Sequence, residues 1–254
     1  MWRCWKHLSV KESWPEMRVV AVIPARYESS RFPGKPLTDI KGKTMIRRIF
    51  EQVSTCPDID EVLVATDDVR IFEEARSFDA KVVMTSPECR SGTDRVAQAI
   101  RGRTADAVIN VQGDQVVLDT AALSEVSREL RQGFPMVTVA ARAQPEEYHD
   151  PNCVKVVCDL RGYALYFSRA PIPYERSRDG IEPWKHIGIY GFSKETLERF
   201  TSLAPTPLEL AESLEQLRAM ENGIPIKVIF ATGEFLEINT PQDKERILQT
   251  WDSF

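Results

Sequence analysis

The stretch Val19 to Leu37, VVAVIPARYESSRFPGKPL, decides how the rest of the chain is read. Its opening residues are a continuous apolar run rich in β-branched side chains, ended by Pro24. Such a run suits a strand buried on both faces of a parallel sheet. The residues after it are unsuited to a core: Arg26, Arg31 and Lys35 stand with Ser29 and Ser30, punctuated by Pro33, Gly34 and Pro36. A buried strand running straight into a cationic, hydroxyl-bearing loop is how an α/β fold presents a phosphate site. The loop is not a Walker A loop, because Pro36 follows Lys35 where Ser or Thr should stand. An ordinary solvated surface loop is the competing reading.

Downstream, the pattern alternates between strand and helix. Met45, Ile46, Ile49, Phe50 and Val53 recur at helical spacing from about Thr44, and Glu61 to Thr66 reads as a second buried strand. Asp68 or its neighbour caps a helix through Ile71, Phe72 and Ala75, and Lys81 to Thr85 is a third strand. Ser91-Gly92-Thr93-Asp94 opens another helix, and Val108 to Gln112 is a fourth strand stopped by Gly113-Asp114. This predicts an α/β fold with a doubly wound, mainly parallel sheet. From about Pro135 to Trp184 the rhythm changes. The turn Asp159-Leu160-Arg161-Gly162 joins two strand-like runs, and prolines 171, 173 and 183 bracket an irregular segment. We read residues 135–184 as an antiparallel insertion and a dimerisation arm. His186 to Phe192 is a further strand, a helix from Pro207 aligns Leu210, Leu214 and Leu217, and Pro241 opens a last helix.

The chain has 254 residues, 43% hydrophobic and 28% charged, which fits one globular α/β domain over residues 17–254. A net charge of −5 argues against a general nucleic-acid surface, although a small anion can sit in one basic cluster. Five cysteines without a C-x-x-C pair suggest neither a disulfide framework nor zinc, and point to a reducing, cytoplasmic compartment. No apolar run reaches membrane-spanning length. Residues 1–16 carry charges and no apolar h-region, so they are expected to be a poorly ordered leader rather than a signal peptide.

Three strand ends should therefore converge at one sheet edge: the loop from Arg26 to Lys35, Ser91-Gly92-Thr93, and Gln112-Gly113-Asp114. Gly113 would let the backbone approach a ligand closely. Asp114 stands where a metal ligand would, and Mg²⁺ favours one or two carboxylates plus phosphate oxygens. A turn or helix cap explains Asp114 alone equally well. With the basic loop beside it, a nucleoside triphosphate with Mg²⁺ is the better explanation.

The blocks IPARYESSRFPGKPL (23–37), SGTDR (91–95), NVQGD (110–114), YALYFSR (163–169), HIGIYG (186–191) and LEQLR (214–218) resemble the signatures of 3-deoxy-manno-octulosonate (Kdo) cytidylyltransferases. The likeness runs from about Met17 to the last helix. It implies a nucleotide-diphospho-sugar transferase-like, Rossmann-like fold, a homodimer, and CMP transfer from CTP to a small acidic acceptor with Mg²⁺. On that resemblance Arg26 and Lys35 hold the CTP phosphates, and Pro24, Ala25, Ser91 and Gly92 line the cytosine pocket. Gln112 and Asp114 sit at the reaction centre, while His186, Tyr190, Glu215, Gln216 and, less directly, Arg169 face the sugar acid. Read from the residues alone, His186 and Tyr190 share a strand face and could simply pack, and Glu215-Gln216 could be a solvated helix face.

Two departures stand out. Where the resemblance implies an acid and then proline after Gly-Asp, this chain has Gln115-Val116. Where it implies a second metal-binding aspartate before Thr-Pro, this chain has Asn239, which offers a neutral carbonyl oxygen to the metal. Glu237 could partly compensate, although strand alternation would point it away. Three readings stay open here: CMP transfer to Kdo with weaker metal binding, transfer to a phosphonoformate-type acid, and a CTP-binding sensor without turnover.

Overall fold

The computed structural model describes residues 17–29, 31–176 and 182–251, so the leader, Ser30, residues 177–181 and the last residues 252–254 lie outside it. In chain order the elements are β1 (Val19–Ala25), β2 (Asp39–Ile40), β3 (Lys43–Thr44), α1 (Met45–Ser54), β4 (Glu61–Thr66), α2 (Val69–Ser77), β5 (Lys81–Met84) and α3 (Gly92–Ile100). Next come β6 (Ala107–Asn110), β7 (Gln115–Val117), α4 (Thr120–Arg131), β8 (Met136–Arg142), β9 (Lys155–Cys158), β10 (Ala164–Ser168) and β11 (Trp184–Ser193). The chain closes with α5 (Lys194–Ser202), α6 (Pro207–Glu212), α7 (Gln216–Glu221), β12 (Ile226–Phe230), β13 (Leu236–Glu237) and α8 (Pro241–Thr250).

β1 is buried at every position, as its composition requires. Val19, Ala21 and Ile23 enter one core with α1, α4 and α8, whereas Val20 and Val22 enter a second core with α3, α5 and α7. This two-sided burial is what places β1 inside the sheet. It pairs in parallel with β4 on one side and β6 on the other, and β5 extends the row beyond β4. The carboxyl ends of these strands therefore open at one edge.

Beyond β6 the sheet turns antiparallel. β11 pairs with β8 along one side, and along the other with β6 at its end and β9 at its start. β12 joins β8 in parallel, and β10 borders β9, which completes a nine-stranded mixed sheet. The region 135–184 is thus not set apart as a whole. β8 lies between β11 and β12 within the main sheet, and only the β9–β10 hairpin runs alongside.

Two other expectations change. The fourth strand stops at Asn110, because residues 111–114 leave the ladder to build the site. The helix from Pro207 divides at Ser213, whose φ of 53° is left-handed, so exposed Leu210 lies on a different helix from buried Leu217. At φ that far positive the intrahelical ladder cannot continue, and Glu215 becomes the cap position of a new helix.

Candidate active site

Local chemistry fixes each rim of the site. The loop after β1 turns at Gly34, with a φ of 72°, and closes through the Gly34 N–H donating to the Tyr27 carbonyl at 2.9 Å. A Cβ at Gly34 would press on the Tyr27 ring at 3.1 Å. Ser91 caps α3, its hydroxyl accepting from the Asp94 N–H at 3.1 Å. Gly113 is required for a different reason from close approach to a ligand: a Cβ there would stand 2.5 Å from the Pro24 carbonyl oxygen. Glycine lets the segment after β6 lie against the end of β1, and this draws Gln112 and Asp114 toward the basic loop.

The result is a cavity of about 220 Å³ with Pro24, Ala25, Arg26, Ser91, Gly92 and Gln112 on its walls. Lys35, Asp114 and Asn239 complete it, with the Lys35 Nζ 3.1 Å from the Asp114 Oδ2. Every residue expected at the nucleotide and the metal is therefore brought together. Arg31, named in the basic loop but given no role, also lines the cavity, as do Arg90 and Arg95, which sequence reasoning did not assign to the site. Arg95 is buried, held to Asp67 at 2.6 Å and Thr85 at 2.5 Å, and its four-residue spacing from Ser91 on one helix was the available signal. Arg90 pairs with Asp94, and Arg26 and Arg31 make no ion pair with any described residue, leaving two guanidinium groups for an anion. A second hollow of about 370 Å³ between α3 and α5 is lined by Ala97, Ile100 and Leu197 together with Arg101, Lys194 and Glu198, and holds none of the residues singled out from the sequence.

Next to this cavity lies a buried polar network. The Asn110 Nδ2 donates to the Thr93 hydroxyl at 3.2 Å, and that hydroxyl donates to the Glu215 Oε1 at 2.5 Å. The Tyr190 hydroxyl donates to the Gln216 Oε1 at 2.9 Å. Asn110 Oδ1 and Gln216 Nε2 are buried without a partner, which leaves one acceptor and one donor unused. Burial pushes the Glu215 carboxyl up and the Tyr190 phenol well up. Glu215 and Gln216 are therefore not a solvated helix face. Gln112 stands between the two regions: a Cβ at Gly92 would meet its Oε1 at 3.5 Å, and one at Gly188 its Cγ at 3.2 Å.

His186 and Tyr190 come together as their shared face implied, with ring centroids 5.2 Å apart. His186 Nε2 lies 2.9 Å from the Thr138 hydroxyl. That hydroxyl already donates to the Ile189 carbonyl at 2.7 Å, so the imidazole must be the donor. Burial lowers the His186 pKa to about 3 and keeps the ring neutral. Arg169 stays out of the cluster. Its guanidinium donates to the Glu212 carbonyl at 2.8 Å and the Pro151 carbonyl at 2.9 Å, bracing the α6–α7 turn that presents Glu215.

At the far rim, Glu237 is not turned away: it lies two residues before Asn239, and period-two alternation puts both on one side. β13 is two residues long and irregular in register, and Glu237 stands opposite Gln115 on β7. Its Oε1 accepts from Gln115 Nε2 at 3.2 Å and its Oε2 from Asn239 Nδ2 at 3.3 Å, so both residues share one side.

The cytidylyltransferase family profile matches residues 20–229. A 3-deoxy-manno-octulosonate cytidylyltransferase of Syntrophus aciditrophicus is 45% identical over 237 residues, spanning 91% of this chain and 96% of that protein. This chain belongs to the Kdo cytidylyltransferase family. A second member, from Myxococcus xanthus, is 45% identical over 91% of this chain and 95% of its own length. Among solved structures, a CMP:2-keto-3-deoxy-manno-octonic acid synthetase complexed with CTP superposes with a TM-score of 0.88 at 39% identity, covering 93% of this chain and 99% of that one. The nucleotidyltransferase fold and the enzyme class follow from these matches.

Proposed function

We propose that the protein transfers CMP from CTP to Kdo and releases pyrophosphate. The observation that carries this reading is the Lys35–Asp114 contact at 3.1 Å, inside a cavity shared by Arg26, Ser91 and Gly92. The names of its relatives supply the acceptor, and the polar network beside the cavity suits a polyhydroxylated acid. An acceptor oxygen forms a bond to the α-phosphorus as the bond to the leaving pyrophosphate breaks, so the protein's task is positioning and charge neutralisation. Arg26, Arg31 and Lys35 face the charge that moves to the leaving group. Pro24, Ala25 and Gly92 shape the base pocket, and Gln112 stands at the meeting point of the two substrates. Glu215, Gln216, Tyr190 and His186 orient the acceptor, while Arg169 acts through the turn it braces.

The oxygen-only donor set fits a hard divalent cation such as Mg²⁺. Asp114 would hold it with the carbonyl oxygen of Asn239; when bound, the ion lowers the pKa of the attacking oxygen and offsets repulsion between anions. We further propose a cytoplasmic homodimer joined through the β9–β10 hairpin, where Leu165 on the outer strand is exposed. Light scattering should then return twice the mass of one chain.

Pyrophosphate release with CTP and a panel of acids tests the reaction. Release with Kdo, above its amino analogue, a neuraminate and phosphonoformate, is the expected result. Release with phosphonoformate alone would replace Kdo as acceptor, and CTP binding without release under any acid would make the protein a sensor.

A further inference from the structure

We propose that Glu237 supplies the second carboxylate of the cation site at Asp114, and that Asn239 holds it there. The inference rests on the reading of that site as one for a divalent cation. It goes further by moving the second negative charge from position 239, where the chain has an amide, to a residue two positions earlier.

The backbone makes this possible. The Ile238 N–H donates to the Asp114 carbonyl at 3.0 Å, so β13 hooks directly onto the backbone of the metal-binding residue. Glu237 therefore lies beside Asp114 in space, although more than a hundred residues later in the chain. Two neutral amides fix its carboxylate from either side, Gln115 at 3.2 Å and Asn239 at 3.3 Å. Neither brings a charge, so the carboxylate is oriented without being neutralised.

Charge and hydrogen bonding at the spot are out of balance. Asp114 and Glu237 are two carboxylates, and Lys35 is the ammonium they both feel. Glu237 is left without an ion-pair partner among the described residues, because Arg26 and Arg31 line the cavity but pair with neither carboxylate. Gln115 is completely buried, and the Oε1 of the amide that holds Glu237 has no hydrogen-bond partner. Every available donor is a hard oxygen, and part of Glu237 remains open to solvent, which gives an ion a way in. An aspartate at 239 would set a third carboxylate against the same lysine, and the amide there avoids that repulsion.

The test is Mn²⁺ binding to the full chain without substrates, read from the electron-spin-resonance signal of the free ion. Asp114→Asn serves as the reference. Glu237→Gln should weaken binding by about tenfold or more, and the double variant Glu237→Gln with Asn239→Asp should recover most of that loss, because the charge has only moved. Melting curves of each variant report whether it is folded. Unchanged Mn²⁺ binding in Glu237→Gln, with binding lost in Asp114→Asn, overturns the role of Glu237 and leaves the cation site standing. Unchanged binding in both removes the cation reading itself. Weakening without recovery in the double variant also overturns the proposal, since it would trace the loss to the hydrogen bonds of Glu237 rather than to its charge.

Discussion

Replacing Lys35 with alanine separates catalysis from folding more cleanly than any other single change. The Lys35 side chain is 13% exposed and that of Asp114 28% exposed, so the pair is sheltered but still reached by water. At 3.1 Å in an effective dielectric of 20 the bare attraction would be about 5 kcal/mol, and desolvation of both ions cancels most of it. Removing the ammonium leaves Asp114 able to hydrate, so the folding cost should stay near ~1 kcal/mol. For a domain of this size that lowers the melting temperature by about 2–4 °C. The loss in the transition state is larger, because mobile water stabilises the charge moving onto the leaving pyrophosphate less than a cation already held in place. A removed donor of this kind costs about 10²–10³ in kcat. Initial rates of pyrophosphate release and melting by circular dichroism should be measured on one preparation, with Lys35→Arg as the charge-preserving control. A fall in kcat of less than about tenfold would refute the reasoning, and so would rate and stability falling together.

Three other substitutions probe separate parts of the account. Thr93→Val removes the hydroxyl between Asn110 and Glu215 and should raise the KM for the acceptor about tenfold while leaving that for CTP nearly unchanged, since two hydrogen bonds are lost, one of them to the Glu215 carboxyl. Gly113→Ala forces a Cβ against the Pro24 carbonyl at 2.5 Å, so the segment must shift; turnover should fall more than tenfold, and ~1–3 kcal/mol of stability should go with it. His186 titrates at about 3 in the fold against its usual 6.5, so its contribution is full above pH 6.5 and drains away as pH falls toward 3. His186→Asn should therefore flatten the acid limb of the stability profile over that window, as seen in urea melts taken at successive pH values.

Much of the architecture was legible because strand burial writes itself into composition. β1, β4 and β6 are apolar runs that end at polar residues, and the Ser91 and Asp68 caps stand where their helices begin. The nucleotide side of the site was legible for the same reason: its residues lie at the ends of parallel strands, and parallel strands end together. What escaped depends on contacts between distant segments. The break at Ser213 has no proline or glycine to announce it, yet it turns Glu215 inward. The place of Glu237 is set by a two-residue strand hooked onto Asp114, a contact between segments more than a hundred residues apart. Gly113 showed itself as a special position, but its true neighbour, the Pro24 carbonyl, lies on the adjacent strand, almost ninety residues earlier in the chain. The placement of β8 within the main sheet follows from its parallel partner β12, some ninety residues later, which no local pattern encodes.

Phosphorus NMR of a mixture of CTP, Kdo, Mg²⁺ and the intact protein tests the central claim most directly. The account predicts a new phosphodiester resonance from CMP joined to Kdo, growing in step with pyrophosphate, and absent when Asp114→Asn replaces the wild type. CTP signals that persist unchanged with Kdo, or an equal rate in the Asp114→Asn protein, would contradict it.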